Sequence, residues 1–478
     1  MNRNKPSNPL TERYASRDMS RVFSSDFKFT TWRKLWIALA EAERELGLPI
    51  TEEQIAELRA HADTINYEEA EKREREVRHD VMAHVHAFGL QAPGAKGIIH
   101  LGATSAFVGD NTDLIQMREG LRIMQRRIVT LIARLRDFAW RWKSTPTLAF
   151  THFQPAQMTT VGKRATLWLH DLLIDLHELE YRLDQIGLLG VKGATGTQAS
   201  FLKLFDGDAE KVRKLELLVA AKAGFTRSYP VSGQTYTRKV DAQIVATLGG
   251  FAQSASKFAF DMRLLQHMRE IEEPFEESQI GSSAMAYKRN PMRAERIDSL
   301  ARHLIINTQN PAHTAATQWF ERTLDDSANR RIAIPEAFLA ADSIALLYDN
   351  IVGGLVVHEE VIEANVAREL PFIATENIMM EGVRRGGDRQ QLHERVRVHS
   401  MAAVDAIKSG AQHNDLLERI ASDPAIELND DDVRALARPS EFVGLSPEQV
   451  GWFLESDVDP ILASRRNLVA DEVGEVRV

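Results

Sequence analysis

From Leu114 onward, apolar residues recur at Met117, Leu121, Met124, Ile128, Leu131, Leu135, Phe138 and Trp142, in alternating steps of three and four. Such a seam predicts a helix packed along its whole length. Asp110 and Asn111 are candidate N-caps and Pro146 is a stop, so the expected helix has about 30 residues and is roughly 45 Å long. A second rod follows. Pro155 sits where a first turn tolerates it, and Met158, Val161, Ala165, Trp168, Leu172, Leu176, Leu179, Leu183 and Ile186 repeat the spacing up to Gly187, Gly190 and Gly193. A third runs from about Tyr236 to Glu270 through Val240, Ile244, Phe251, Ala255, Phe258, Met262 and Leu265. Two further helical patterns cover about 292–306 and 330–357, after a stretch at 273–291 that breaks the period. Five long segments imply a central helix bundle. Alternating β-branched runs flanked by turn signals do not occur, which argues against a substantial sheet. The fold class is therefore all-α. Before residue 105 the helices are shorter and the charge denser, as in EEAEKREREVR at 68–78, and after 358 short helices alternate with polar turns. Domain boundaries fall near 104 and 357, giving segments 1–104, 105–357 and 358–478.

A chain of 478 residues is too long for one compact core, and its 44% hydrophobic and 27% charged residues are ordinary globular values. Net charge −9 speaks against a non-specific nucleic-acid or membrane binder, because those partners are polyanions. With no cysteine, disulfides, thiolate metal sites and cysteine nucleophiles drop out, which suits a reducing compartment. The N-terminal stretch is polar, without an apolar leader pattern, and no run approaches the ~18 apolar residues of a membrane span. The expectation is a cytoplasmic protein.

The break at 281–291 reads GSSAMAYKRNP, packing two hydroxyls, a lysine, an arginine and an asparagine between two rods. Taken alone it is a polar connection. Its wording resembles the signature GSSxMPxKxNP of the fumarase, aspartase and argininosuccinase superfamily, and HLGATSAFVGDNTD at 100–113 and THFQPAQ at 151–157 match two other shared regions. RHDVMAHVH at 78–86, VKGATGTQASF at 191–201, SGQTYTRKVD at 232–241, SSAMAYKRNPMRAERIDSLARHL at 282–304 and QWFERTLDDSANRR at 318–331 look like the adenylosuccinate lyase branch, in particular its animal-type subgroup. The resemblance runs from TERYAS at 11–16 into the C-terminal region. One departure is Ala286, where the signature has proline; losing that fixed φ is expected to alter loop dynamics.

The resemblance implies a three-domain, all-helical, fumarase/aspartase-like scaffold and elimination of fumarate from a succinylated purine nucleotide or its ribotide precursor. Such a reaction needs a base for a weakly acidic proton beside a carboxylate and an acid for the departing nitrogen. By resemblance the base is Ser282, preferred over Ser283, and the acid is His152. A serine anion needs cationic neighbours and N–H donors in a closed loop, and Lys288 is the matching cation. The carboxylates of the substrate are assigned to Thr104, Ser105, Thr151, Lys288 and Asn290, and its phosphate to Arg13, Tyr14, Ser327 and Arg331. Arg78, His79, Asp80, Gln234, Arg296 and Arg322 complete the implied pocket.

Without the family match, each of these residues has a plainer role. Ser282 or Ser283 would be a helix cap, His152 a satisfied polar residue, and Arg322 and Arg331 surface partners of Glu321, Asp325 and Asp326. A metal at His79, His84 and His86 is disfavoured because the side chains of His84 and His86 diverge by about 200° on a helix. The glycines of GVKGATG follow a helix rather than a strand, against a dinucleotide fingerprint. No cofactor is implied. The resemblance further implies a homotetramer with each site assembled from three subunits. Two other readings stay open: a fumarate-releasing lyase for another substrate, such as argininosuccinate, malate or aspartate, and a scaffold that has lost catalysis.

Overall fold

The structure is a computed structural model that describes residues 7–276, 279, 284–285 and 287–470. The all-α expectation holds, and five rods form the centre: Ser105–Arg141, Val161–Gln185, Lys239–His267, Met292–Asn307 and Asp326–Gly353. Buried seams join them. Phe258 of the third rod stacks on Tyr348 of the fifth at 4.0 Å between ring centroids and takes Trp168 of the second edge-on at 5.1 Å. At Gly120 of the first rod a side chain would meet the ring of Phe338, so the first and fifth rods approach closely there.

The first rod begins at Ser105, earlier than its expected caps. Asp110 and Asn111 lie buried inside it. Their polar groups are used across the fold: Asn111 Nδ2 donates to the Phe107 and Gly190 carbonyls at 2.8 and 3.2 Å, and its Oδ1 accepts from the Gly190 N–H at 3.0 Å. A cap-type residue satisfied by tertiary partners is free to sit inside a helix.

A second correction concerns Pro155. It does not open the second rod but lies in a hairpin of strands Pro146–Thr151 and Gln154–Thr160, opposite Phe150. A two-stranded ladder leaves each strand with an outer edge, where proline's missing N–H costs no bond. The rod starts at Val161, capped by the Thr160 hydroxyl, which accepts from Lys163 N–H at 3.1 Å.

Ahead of the rods, Ser25–Glu45, Glu52–Ala60 and Asp80–Gln91 pack into the same hydrophobic core. A separate smaller cluster joins residues between Ala374 and Val433, whereas Val443, Val450, Leu454 and Val458 return to the main core. No helix among the described residues is long and apolar enough to cross a membrane.

Candidate active site

The assigned residues fall into separate groups on one chain. The first gathers at the N-terminal end of the first rod, where Thr104 precedes the helix and Ser105 opens it, both half-buried. Beside it, Arg78 takes a left-handed conformation (φ 52°) that ends one helix, and His79 caps the next by accepting from Met82 N–H at 3.3 Å. Asp80 Oδ2 lies 3.7 Å from Arg331 Nη2. Arg331 is half-exposed and pairs with Asp80 rather than with Asp325 or Asp326.

Two loops complete this end. Gln234 donates its backbone N–H to the Glu321 carbonyl at 2.9 Å and its side-chain amide to the Ala194 carbonyl at 3.1 Å. The loops touch so closely that a Cβ on Gly233 would lie 2.4 Å from the Glu321 oxygen. Arg322 Nη1 reaches Asp326 Oδ1 at 3.4 Å, and Ser327 follows half-buried. The partner of Arg322 is thus a buried carboxylate and not a surface one.

Behind these side chains lies an ion cluster that sequence reasoning missed. Arg238 is buried and stands 2.7 Å from Asp326, 3.1 Å from Asp110 and 3.9 Å from Asp241. Arg330 bridges Asp326 at 3.2 Å, Asp110 at 3.8 Å and Asp113. Burial works against the charge of Arg238, but Asp110, Tyr236, Asp241 and Asp326 outweigh it and hold the guanidinium protonated. Burial pushes the Asp241 carboxyl up to about 7, despite Arg238 and the Tyr236 hydroxyl that donates to it at 2.6 Å. The available signal was an aspartate on the buried face of an apolar helix, which in a soluble protein calls for a partner. Lys28 was also missed: it shares a cleft of about 200 Å³ with Arg330 and Arg331, and burial followed by Arg331 lowers its pKa.

The second group occupies the other end of the rods. His152 and Phe153 form the exposed tip of the hairpin, both with positive φ (53° and 57°), the two-residue turn that matches strand twist but strains bulky side chains. Thr151 is its last strand residue and is exposed. Lys288 is exposed and Asn290 half-buried, just before the fourth rod. There the Glu273 carboxylate accepts from the N–H groups of Arg293 and Ala294 at 3.0 and 3.1 Å, and the Arg289 carbonyl accepts from Gln266 at 3.1 Å. Ser282, Ser283 and Ala286 lie outside the described residues.

A third group is Arg13, Tyr14 and Arg296. Arg296 lies over the Tyr14 ring at 5.3 Å, and its Nη1 is buried with no hydrogen-bond acceptor among the described residues. Arg13 is exposed and shares a cleft of about 480 Å³ with Tyr14 and Arg127. Among the described residues, one chain therefore holds the assigned side chains in three groups.

Comparison with known proteins bears on all of these groups. Residues 14–305 match the family model described as Lyase, and residues 371–453 match that described as Adenylosuccinate lyase C-terminus. The chain is 52% identical to adenylosuccinate lyase of Saccharomyces cerevisiae over 98% of both chains. It is 50% identical to that of Schizosaccharomyces pombe over 99% of this chain and 98% of the relative. With that of Schistosoma mansoni it shares 48% identity over 97% of both. Among solved structures, a fumarate lyase from Mesorhizobium superposes with a TM-score of 0.79 at 23% identity, over 94% of this chain and 100% of that one. A 3-carboxy-cis,cis-muconate lactonizing enzyme from Pseudomonas putida gives 0.81 at 20% identity, over 97% and 100%. At such identities the superpositions speak for the fold alone.

Proposed function

Since the chain belongs to the adenylosuccinate lyase family, we propose that it is a carbon–nitrogen lyase that eliminates fumarate from adenylosuccinate, giving AMP, and from the succinylated aminoimidazole carboxamide ribotide earlier in purine synthesis. The observation that carries this reading is the 52% identity sustained over 98% of the chain, which includes the segments bearing the assigned residues.

In the proposed reaction Ser282 removes a proton from the carbon beside the succinyl carboxylate, and Lys288 stabilises the serine anion. Negative charge then spreads onto that carboxylate, for which this reading assigns Thr104, Ser105, Thr151 and Asn290 as donors. The C–N bond breaks with the electron pair leaving on the purine-side nitrogen, which takes a proton from His152. Arg13, Tyr14, Ser327 and Arg331 grip the phosphate, while Arg78, His79, Asp80, Gln234, Arg296 and Arg322 orient the rest of the nucleotide.

The division of these residues among separate groups on one chain supports a further part of the reading, a homotetramer whose subunits pool their groups at each site; the reading also keeps a cytoplasmic location. The reading keeps three domains, 1–104, 105–357 and 358–478. The test incubates the purified protein with adenylosuccinate, follows conversion to AMP by ultraviolet absorbance and quantifies fumarate. Release by wild type that is nearly abolished in His152→Ala supports it; intact tetramer that leaves both nucleotides untouched overturns it.

A further inference from the structure

The loops that carry Gln234 and Arg322 have no regular structure of their own and lie just before the third and the fifth rod, respectively. Two links join them. One is the Gln234 N–H to Glu321 carbonyl bond at 2.9 Å, with Gly233 pressed against the same carbonyl. The other is Arg238 Nε to Asp326 Oδ2 at 2.7 Å, between side chains exposed by 1% and 0%.

Asp326 collects three guanidinium groups. It forms an ion pair with Arg238, accepts from Arg330 Nε at 3.2 Å and lies 3.4 Å from Arg322 Nη1. Its chain neighbour is Ser327, and Arg331 follows Arg330 on the same helix. Asp110, by contrast, pairs with Arg238 at 3.1 Å and Arg330 at 3.8 Å and, among the described residues, forms no ion pair with Arg322. Two buried carboxylates thus share the same two arginines, but only one holds a side chain of the proposed pocket.

Burying these charges is not an economical way to stabilise a bundle, since well-packed apolar residues of similar volume often do as well or better. What an ion cluster supplies and apolar packing does not is direction: a carboxylate fixes where each guanidinium points. We propose that Asp326 is a positioning residue, which through Arg238 locks the Gln234 loop to the Arg322 loop and holds Arg322 by one nitrogen, leaving its other donors for the nucleotide. This rests on the nucleotide-lyase reading above and adds to it the residue that sets the pocket's binding geometry.

The test compares Asp326→Asn, Asp326→Glu and Asp110→Asn in the full-length assembled enzyme, measuring kcat and KM for adenylosuccinate, inhibition constants for AMP and for fumarate, and melting temperature. Asp326→Asn is expected to raise KM and the AMP constant about tenfold or more while kcat falls less than about threefold and the fumarate constant stays within about twofold. Asp326→Glu, which keeps the charge, is expected to recover part of the loss. Asp110→Asn is expected to lower the melting temperature comparably while leaving KM within about twofold. The proposal is overturned if both Asn variants raise KM alike in step with their melting temperatures, or if Asp326→Asn changes kcat alone. Should Asp326→Asn not assemble, Asp326→Glu and Asp110→Asn decide by the same KM comparison. A wild type without turnover would overturn the lyase reading, and the clamp with it; an active wild type whose Asp326 and Asp110 variants behave alike overturns the clamp only.

Discussion

His152→Ala and Arg322→Ala, made in separate chains and then mixed, test the proposed sharing of sites. The first rod has 37 residues, so at 1.5 Å per residue it is roughly 56 Å long. His152 belongs to the hairpin that follows the C-terminal end of this rod. Arg322 is tied through Asp326 and Arg238 to Asp110, near its N-terminal end. In the proposed reaction His152 must come within about 3 Å of the departing nitrogen while Arg322 touches the same nucleotide, which is far shorter than the rod, so these two are not expected to serve the same site from one chain. If each site takes them from different subunits, random reassembly of an equal mixture leaves about a quarter of the sites with both intact, since each position is wild type half the time. The assay is fumarate release after dissociation and reassembly, with exchange verified by native mass spectrometry. Recovery near a quarter of wild-type activity is expected from two parents that are each nearly inactive. A second mixture sharpens the count: wild type with a chain carrying both substitutions gives about a quarter if the sites are shared and about a half if they are not. Exchanged tetramers that show no recovery in the first mixture and half activity in the second would refute the reasoning.

Gly233→Ala places a Cβ 2.4 Å from the Glu321 carbonyl, where backbone has to move; KM for the nucleotide should rise at least several-fold, and an unchanged KM would count against the close apposition of the two loops. Gly162→Ala brings its Cβ to 2.3 Å from the Ala139 carbonyl at the crossing of the first and second rods; overpacking of this kind costs about 1–3 kcal/mol, read as a lower urea midpoint. Glu43 is fully buried and its carboxyl is pushed up to about 8 by burial. Because the folded protein holds that proton more tightly than the unfolded chain, its contribution is complete below the ordinary carboxylate range and is lost as pH rises through about 8, by an upper limit of roughly 5 kcal/mol. Glu43→Gln should therefore flatten the fall in stability between pH 5 and about 8, and parallel wild-type and variant curves would exclude Glu43 as its source.

The rods were legible because their seams are apolar over many turns, and periodicity is the strongest signal a sequence carries. Boundaries failed where a side chain has two physical uses. Asp110 and Asn111 have the chemistry of caps, yet one neutralises Arg238 and the other satisfies the backbone at Gly190. Pro155 fits either a first helical turn or an outer strand edge, and the choice is made by pairing with 146–151, which a period measured along one segment does not register. His152 was found through its motif, but its placement on a strained exposed turn was not, since φ > 0 is expected of Asn or Gly and not of His-Phe. Asp326 was seen as an acidic neighbour of Arg322, whereas its burial and its link to Arg238 depend on the 87 intervening residues folding back.

The same geometry explains why the proposed acid at one end of a rod and the proposed nucleotide-binding groups at the other need not be a contradiction. A rigid rod carries both ends of the chain's chemistry at fixed separation, so no hinge within one subunit can close the gap. Pairing an antiparallel copy alongside brings the hairpin end of one rod to the Asp110 end of another without bending either. In that arrangement exposed apolar side chains on the rods, such as Leu167, Ile174, Phe260 and Leu264, would lose solvent contact, which favours association through the hydrophobic effect. Replacing Ile174 and Phe260 by Glu should then separate the subunits and abolish turnover together. Dissociated subunits that remained active would place the whole reaction within one chain, against the length of the rod.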